Sequence, residues 1–304
     1  LQAFIHAGMP KTGTSSIQQF LSEHYEQLIE HQVLYPHAGR QSEHTSQHHA
    51  FFLSFLRGVP TPFVKPYQAR YDPEIYANQL FGEARQFHAN KIVLSSEYLS
   101  SEAYELAFLR EIKNCLAFCD TIYPVFVLRR PSSFVVSLYN QRIKGFRKAT
   151  TSASSFLEEM RERNVLDFDQ RIRNFEEVFG EDNVIVLWYE YINDNIISNF
   201  LKILGVEMSP ILNPSSQVNR SVDWPTLQAY RMANHLPRGR ARARRLVDRV
   251  MASLPESIRR GALARACLPF DAPTLAALDR EYADSHGRLS RRKGIAPPPH
   301  AGDG

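Results

Sequence analysis

Residues 3–16 read Ala3-Phe4-Ile5-His6-Ala7-Gly8-Met9-Pro10-Lys11-Thr12-Gly13-Thr14-Ser15-Ser16, and Ile17, Phe20, Leu21, Tyr25, Leu28 and Ile29 follow at helical spacing. A short apolar run ends in glycine, a loop of small residues comes next, and an amphipathic helix begins. The order is strand, loop, helix. Gly8 to Ser15 has the form G-x-x-x-x-G-T-S, close to a nucleotide P-loop, in which lysine stands directly after the second glycine. Here Thr14 takes that place and Lys11 lies inside the loop. The physics is the same. Small residues let backbone N–H groups converge, the helix N-terminus adds positive potential, and a lysine supplies a full charge. The hydroxyls of Thr12, Thr14, Ser15 and Ser16 add donors for an oxyanion. Helix capping alone would explain one hydroxyl but neither the lysine nor the glycine.

Three more apolar runs lie downstream. They are Lys91-Ile92-Val93-Leu94, stopped by Ser95-Ser96-Glu97; Ile122 to Leu128, stopped by Arg129-Arg130-Pro131; and Asn183 to Tyr189, ending at Glu190. Helical patterns run over 77–87, 103–118, 134–145 and 172–179. Continuous apolar strands alternating with helices predict an α/β fold, a P-loop-like parallel sheet flanked by helices, with a helical C-terminal extension. In such sheets ligands bind beyond the carboxyl ends of the strands, where the polar residues just named gather.

The loop Pro10-Lys11-Thr12-Gly13-Thr14-Ser15-Ser16 resembles the 5′-phosphosulfate loop of sulfotransferases that use 3′-phosphoadenosine-5′-phosphosulfate (PAPS). A second stretch, Leu128-Arg129-Arg130-Pro131-Ser132-Ser133-Phe134-Val135-Val136-Ser137-Leu138-Tyr139, resembles that family's 3′-phosphate site. There an arginine at a strand end and a serine eight residues later hold the phosphate; Arg129 and Ser137 have that spacing. The family usually has Asp or Asn after the arginine, whereas this chain has Arg130. A third stretch, Val186 to Ile192 followed by Phe200-Leu201-Lys202-Ile203-Leu204-Gly205-Val206, resembles the family's strand-end Tyr-Glu segment and Phe-Leu-Gly helix end. The likeness covers about residues 3–235 and is patterned rather than close. It implies PAPS as donor, with Lys11, Thr12, Gly13, Thr14, Ser15, Ser16, Arg129 and Ser137 as its contacts. Tyr189 is implied near the adenine and Arg220 in a loop closing over the nucleotide. Arg292-Lys293-Gly294 matches a tripeptide that cytosolic relatives set against the 3′-phosphate, but it lies far downstream of the matching position.

Sulfuryl transfer to a hydroxyl requires a base for the acceptor and positive charge for the departing phosphate. Lys11 suits the second role. Glu97 falls where cytosolic members of the family carry a histidine, and a carboxylate in a cleft has its pKa raised towards working pH by desolvation. Glu97 is therefore the expected base, against the plainer reading of a helix cap or ion pair. Its competitors are His37, His44, His48 and His49, four histidines within thirteen residues; His48 or His49 is expected to touch the acceptor. The histidines lack a carboxylate or cysteine at metal-ligand spacing, so no metal is expected. No aspartate closes the third strand, where a P-loop NTPase holds magnesium.

The chain has 304 residues, 43% of them hydrophobic and 22% charged, which suits a folded core and excludes a disordered or collagen-like chain. No apolar run reaches 18 residues, so no bilayer span is expected. The composition suits a soluble protein, cytoplasmic if bacterial. A strand starting within the first residues leaves room for a preceding anchor. Charge is uneven. From Arg238 onward there are 14 basic and 7 acidic residues, a surplus of +7, whereas the first 237 carry 22 and 25, or −3. The expected organisation is a sulfotransferase domain over 1–235, a basic helical extension over 236–295 and a disordered tail over 296–304. Arg238, Arg240, Arg242, Arg244, Arg245 and Arg249 share a helix with Ala243, Leu246, Val247, Val250, Met251 and Leu254. That pattern predicts a helix packed by its apolar face with solvated arginines, or else a surface for an acidic glycan or anionic lipid headgroups. No nucleic-acid recognition motif accompanies the charge. Cys115, Cys119 and Cys267 form no metal or disulfide pattern and read as packing residues.

The expected activity is sulfuryl transfer from PAPS to an acceptor hydroxyl, on a carbohydrate or glycolipid by likeness to the carbohydrate-type members. The alternatives are a P-loop kinase or NTPase, disfavoured by the displaced lysine and missing aspartate, and a non-catalytic polyanion- or membrane-binding module on the same fold.

Overall fold

The computed structural model describes residues 1–9, 11–40, 42, 45–56, 72–100, 105–145, 149–207, 223–236, 239–261 and 267–298. Its strands are β1 (Gln2–His6), β2 (Val33–Leu34), β3 (Lys91–Ser95), β4 (Thr121–Leu128) and β5 (Ile185–Trp188), in the order β2-β3-β1-β4-β5. Every pairing is parallel, with Phe4 opposite Val93 on one side and Tyr123 on the other. The expected parallel α/β architecture is therefore present. β1 is central, and the strands after it are laid first to one side and then to the other, which makes the end of β1 a switch point.

The helices are α1 (Thr14–Glu23), α2 (Tyr25–Glu30), α3 (His49–Leu53), α4 (Pro73–Gln86), α5 (Leu106–Cys115), α6 (Pro131–Lys144), α7 (Ala153–Glu162) and α8 (Phe168–Phe179). They continue with α9 (Tyr189–Ile192), α10 (Ile196–Ile203), α11 (Trp224–Asn234), α12 (Arg240–Ser253) and α13 (Glu256–Arg260), before helices at Ala272–Glu281 and Ala283–Lys293. α6 begins three residues before the expected 134 because Pro131, with φ fixed and no N–H to lose, sits in its first turn. Among the described residues no helix is long and apolar enough to cross a membrane.

The described residues fall into two compact units. One is drawn from Leu1–Arg129, Asp167–Gln217 and Ser285–Pro298, the other from Arg130–Leu166 and Val218–Asp284. The first holds the sheet. Ala3 and Ile5 point to one face and Phe4 to the other, and all three are buried, so both faces are covered. On the Phe4 side Ile17, Phe20 and Leu21 of α1, Phe200 and Leu201 of α10, and Leu204 just after it close over Val93 and Val125. Arg292 and Lys293 tie the last helix to α8, Arg292 lying 2.9 Å from Glu176 and 2.6 Å from Asp169, and Lys293 3.2 Å from Glu176. That tripeptide is engaged inside the first unit.

In the second unit Tyr139 of α6 packs against Phe156 and Phe270. The start of α6 is held by Asp279, which accepts from the Ser132 N–H at 2.9 Å and its hydroxyl at 2.7 Å. α12 meets the expectation of a helix packed by its apolar face only in part: Ala243, Val247 and Met251 are half-buried. None of its residues is fully buried, and Leu246 and Val250 are exposed. Arg244 instead turns inward, donating to the Lys144 carbonyl at 2.9 Å, to Asn234 Oδ1 at 3.1 Å and to the Ile143 carbonyl. The physical reason is that those carbonyls belong to the end of α6, where a guanidinium satisfies groups that lack helical partners.

Candidate functional site

The loop after β1 is built from unusual backbone. Lys11 has φ 69° and Gly13 φ 79°, both left-handed, on either side of Thr12. Left-handed backbone costs a lysine about 1–2 kcal/mol, so the surrounding structure must impose it. Alternation of handedness turns successive N–H groups to one side, the geometry of an anion nest. α1 starts at Thr14; the Ser16 and Ile17 N–H groups donate to the Gly13 carbonyl at 3.0 and 3.1 Å, and helix geometry leaves those of Thr14 and Ser15 without an intrahelical acceptor. Gly8 is required by close approach, since a Cβ there would run into the Thr14 methyl and His6 Nε2, 2.9 Å away.

The hydroxyls of this loop divide by task. Thr12 is fully buried and its hydroxyl donates to the Met9 carbonyl at 2.7 Å, so it braces the loop. Thr14 is buried and donates to Glu97 Oε1. Ser15 is exposed and Ser16 half-buried at the helix start.

Glu97 begins a 3-10 turn over Glu97–Ser100, directly after β3. Burial raises its pKa above the usual carboxylate value, while the Thr14 hydroxyl and the Lys11 charge pull it back down. The first loop and the second strand end thus meet at one carboxylate. Arg129, at the end of β4, donates from Nη1 to the Lys11 carbonyl at 2.8 Å and lays its guanidinium over the Tyr189 ring, 4.9 Å from the centroid. Lys11, Thr14, Glu97, Arg129 and Tyr189 are therefore brought together from four strand ends and α1. Arg130, where the second unit begins, stays within that unit, donating to Ser132 at 3.1 Å and Ser133 at 3.2 Å and lying 3.5 Å from Asp279. Ser137 is buried on α6 in that unit. Arg220 and His44 lie outside the described residues.

His48 and His49 part company. His48 is fully buried; its Nδ1 accepts from the Ser95 N–H at 3.1 Å and its Nε2 then donates to the Pro36 carbonyl at 2.9 Å. Both ring nitrogens are used, and burial drives its pKa down to about 3. It has no nitrogen left for an acceptor. His49 pairs through Nδ1 with Ser96 Oγ at 2.8 Å and packs on Tyr98 at 4.3 Å between centroids. Burial lowers it to about 4, so it is neutral at pH 7 with Nε2 available beside the Glu97 turn. Among the described residues no three His, Cys, Asp or Glu side chains stand together as a metal site.

One group escapes sequence reasoning. His6, fully buried, shares Ser95 Oγ through Nδ1 at 2.9 Å, and Gln18 donates to the same oxygen at 3.0 Å. His6 Nε2 has no partner among the described residues and lies under the loop at Gly8. The only available signal was a polar residue closing an otherwise apolar strand.

No protein-family model matches this chain, and no curated protein matches it. Among solved structures it is similar to a sulfotransferase from Alicyclobacillus acidocaldarius, at 17% identity and TM-score 0.41, over 81% of this chain and 95% of that one. It is also similar to the sulfotransferase domain of the Synechococcus PCC 7002 olefin synthase, at 16% identity and TM-score 0.35, over 84% and 95% of the two chains. A sulfotransferase domain from the curacin biosynthetic pathway follows at 13% identity and TM-score 0.35, over 84% and 98%. All three are sulfotransferases. At 13–17% identity the chemistry must be read from this chain's own side chains.

Proposed function

We propose that this protein is a sulfotransferase that moves a sulfuryl group from PAPS to an acceptor hydroxyl on a carbohydrate or glycolipid. The observation that carries the proposal is the meeting of Lys11, in a left-handed loop at a helix start, with a buried carboxylate and an arginine stacked on tyrosine. The loop N–H groups and Lys11 suit the 5′-phosphosulfate, Arg129 and Ser137 the 3′-phosphate, and Tyr189 the adenine. Glu97 takes the proton of the acceptor hydroxyl as its oxygen bonds to sulfur. The bond from sulfur to the bridging oxygen breaks, and the charge left on 3′-phosphoadenosine-5′-phosphate is met by Lys11 and the helix start. His49 Nε2 is positioned to hold the acceptor. A singly charged sulfuryl group needs no metal to offset it, which fits the absence of an aspartate at the end of β4.

Calorimetric titration with 3′-phosphoadenosine-5′-phosphate tests the donor, with ATP plus magnesium as control. Micromolar affinity for the former alone, roughly −8 kcal/mol, is expected, and Lys11→Ala and Arg129→Ala should each weaken it. Preference for ATP and magnesium would replace this reading with a phosphoryl-transfer one.

A further inference from the structure

Of the nine exposed large apolar side chains among the described residues, six lie between Met232 and Leu268, in the second unit. Isolated exposed leucines need no explanation. Two of these six, however, sit one helical turn apart on α12 amid arginines. Leu246 is 62% and Val250 48% exposed. Arg242, Leu246 and Val250 form one i,i+4 row along the helix, and Arg245 and Arg249 form the neighbouring row. Arg242, Arg245 and Arg249 are exposed, and none has an ion-pair partner among the described residues. The helix carries five arginines against one acid, Asp248, which is engaged by the Tyr230 hydroxyl.

We propose that α12 docks this protein on the surface of a bilayer rich in anionic lipid. Leu246 and Val250 enter the boundary between headgroups and acyl chains, and Arg242, Arg245 and Arg249 meet lipid phosphates at the same depth. Complementary charge selects the partner. A sulfated or carboxylated glycan would satisfy the arginines but would leave Leu246 and Val250 in water. A second copy of the chain would present the same arginines to one another. The bilayer alone accounts for both rows. This inference is independent of the donor and acceptor proposed above.

Flotation of the whole protein with phosphatidylcholine vesicles, with and without phosphatidylglycerol, tests it. Binding is expected only to the anionic vesicles, and it should weaken as salt is raised. Arg242→Gln/Arg245→Gln/Arg249→Gln should reduce partitioning about a hundredfold. Leu246→Ser/Val250→Ser should reduce it about tenfold. All five positions are exposed, so melting temperatures should match the parent's, and circular dichroism checks that. Failure to bind anionic vesicles overturns the proposal, as does binding that ignores the Leu246/Val250 pair. If that pair is neutral for vesicles while heparin competes fully, the helix is a polyanion site instead. If its loss changes the sedimentation coefficient rather than flotation, a second copy covers the stripe.

Discussion

Glu97 titrates under opposing influences. Burial favours the neutral acid, whereas the Thr14 hydroxyl and Lys11 favour the carboxylate. A base must be ionised, so turnover should fall as the pH drops through the Glu97 pKa. Thr14→Val removes a lowering influence and should move the acid limb of kcat/KM to higher pH, measured as a pH–rate profile. A limb that stays in place would assign the base elsewhere. Glu97→Gln should lose the limb and about 10²–10⁴-fold of turnover while binding 3′-phosphoadenosine-5′-phosphate normally. The histidines make a second test. His48→Ala orphans the Ser95 N–H and the Pro36 carbonyl, at about 1–3 kcal/mol for each buried group. It should therefore lower the melting temperature. His49→Ala should leave that temperature near the parent's and raise KM for the acceptor. Equal effects from both would contradict the division of labour. Nothing in a His-His pair distinguishes its members. The sequence brought both into view, and only the partners of each ring separate them.

At the scale of elements, the four long strands were legible because each is a continuous apolar run, the first stopped by glycine and the other three by polar residues. β2, two residues long, carries no pattern of its own and is a strand only because Val33 and Leu34 pair with Lys91 and Ile92. The loop after β1 was legible as small residues plus lysine, but its left-handed backbone at Lys11 was not, since nothing about a lysine announces positive φ. Gly13 shows how tightly the loop is set. A Cβ there would strike Ile196 of α10 in a left-handed conformation. Gly13→Ala should cost about 1–3 kcal/mol by urea denaturation. Adding Ile196→Ala should remove the collision but not the backbone penalty, so the double variant, corrected for Ile196→Ala alone, should recover only part. Full recovery would mean that the backbone conformation is not strained. α12 was legible as a basic amphipathic helix, yet which stripe faces inward depended on carbonyls contributed by α6, far away in sequence.

At the scale of the molecule, the buried histidines should govern stability in acid. Burial holds His6 at about 4 and His48 at about 3, both below the ordinary value of 6.5. The unfolded chain binds a proton at each as the pH falls through 6.5, while the folded chain does not until each folded pKa is reached. Their contribution is therefore complete above pH 6.5 and is lost progressively below it, down to pH 4 for His6 and 3 for His48. Each should steepen the fall of unfolding free energy by about 1.4 kcal/mol per pH unit in that window. Glu97, with its pKa raised in the folded chain, opposes this above the usual carboxylate value. Urea midpoints measured from pH 7 down to pH 5 should decline. His48→Gln, though less stable throughout, should show a slope shallower by one proton, because its side chain no longer titrates. The slope and not the height is the diagnostic quantity, which keeps this test separate from the cost of the lost hydrogen bonds. An unchanged slope would mean that His48 is protonated in the folded chain. Its Nδ1 could then no longer accept from the Ser95 N–H, and the lock joining α3 to the end of β3 would not exist as described.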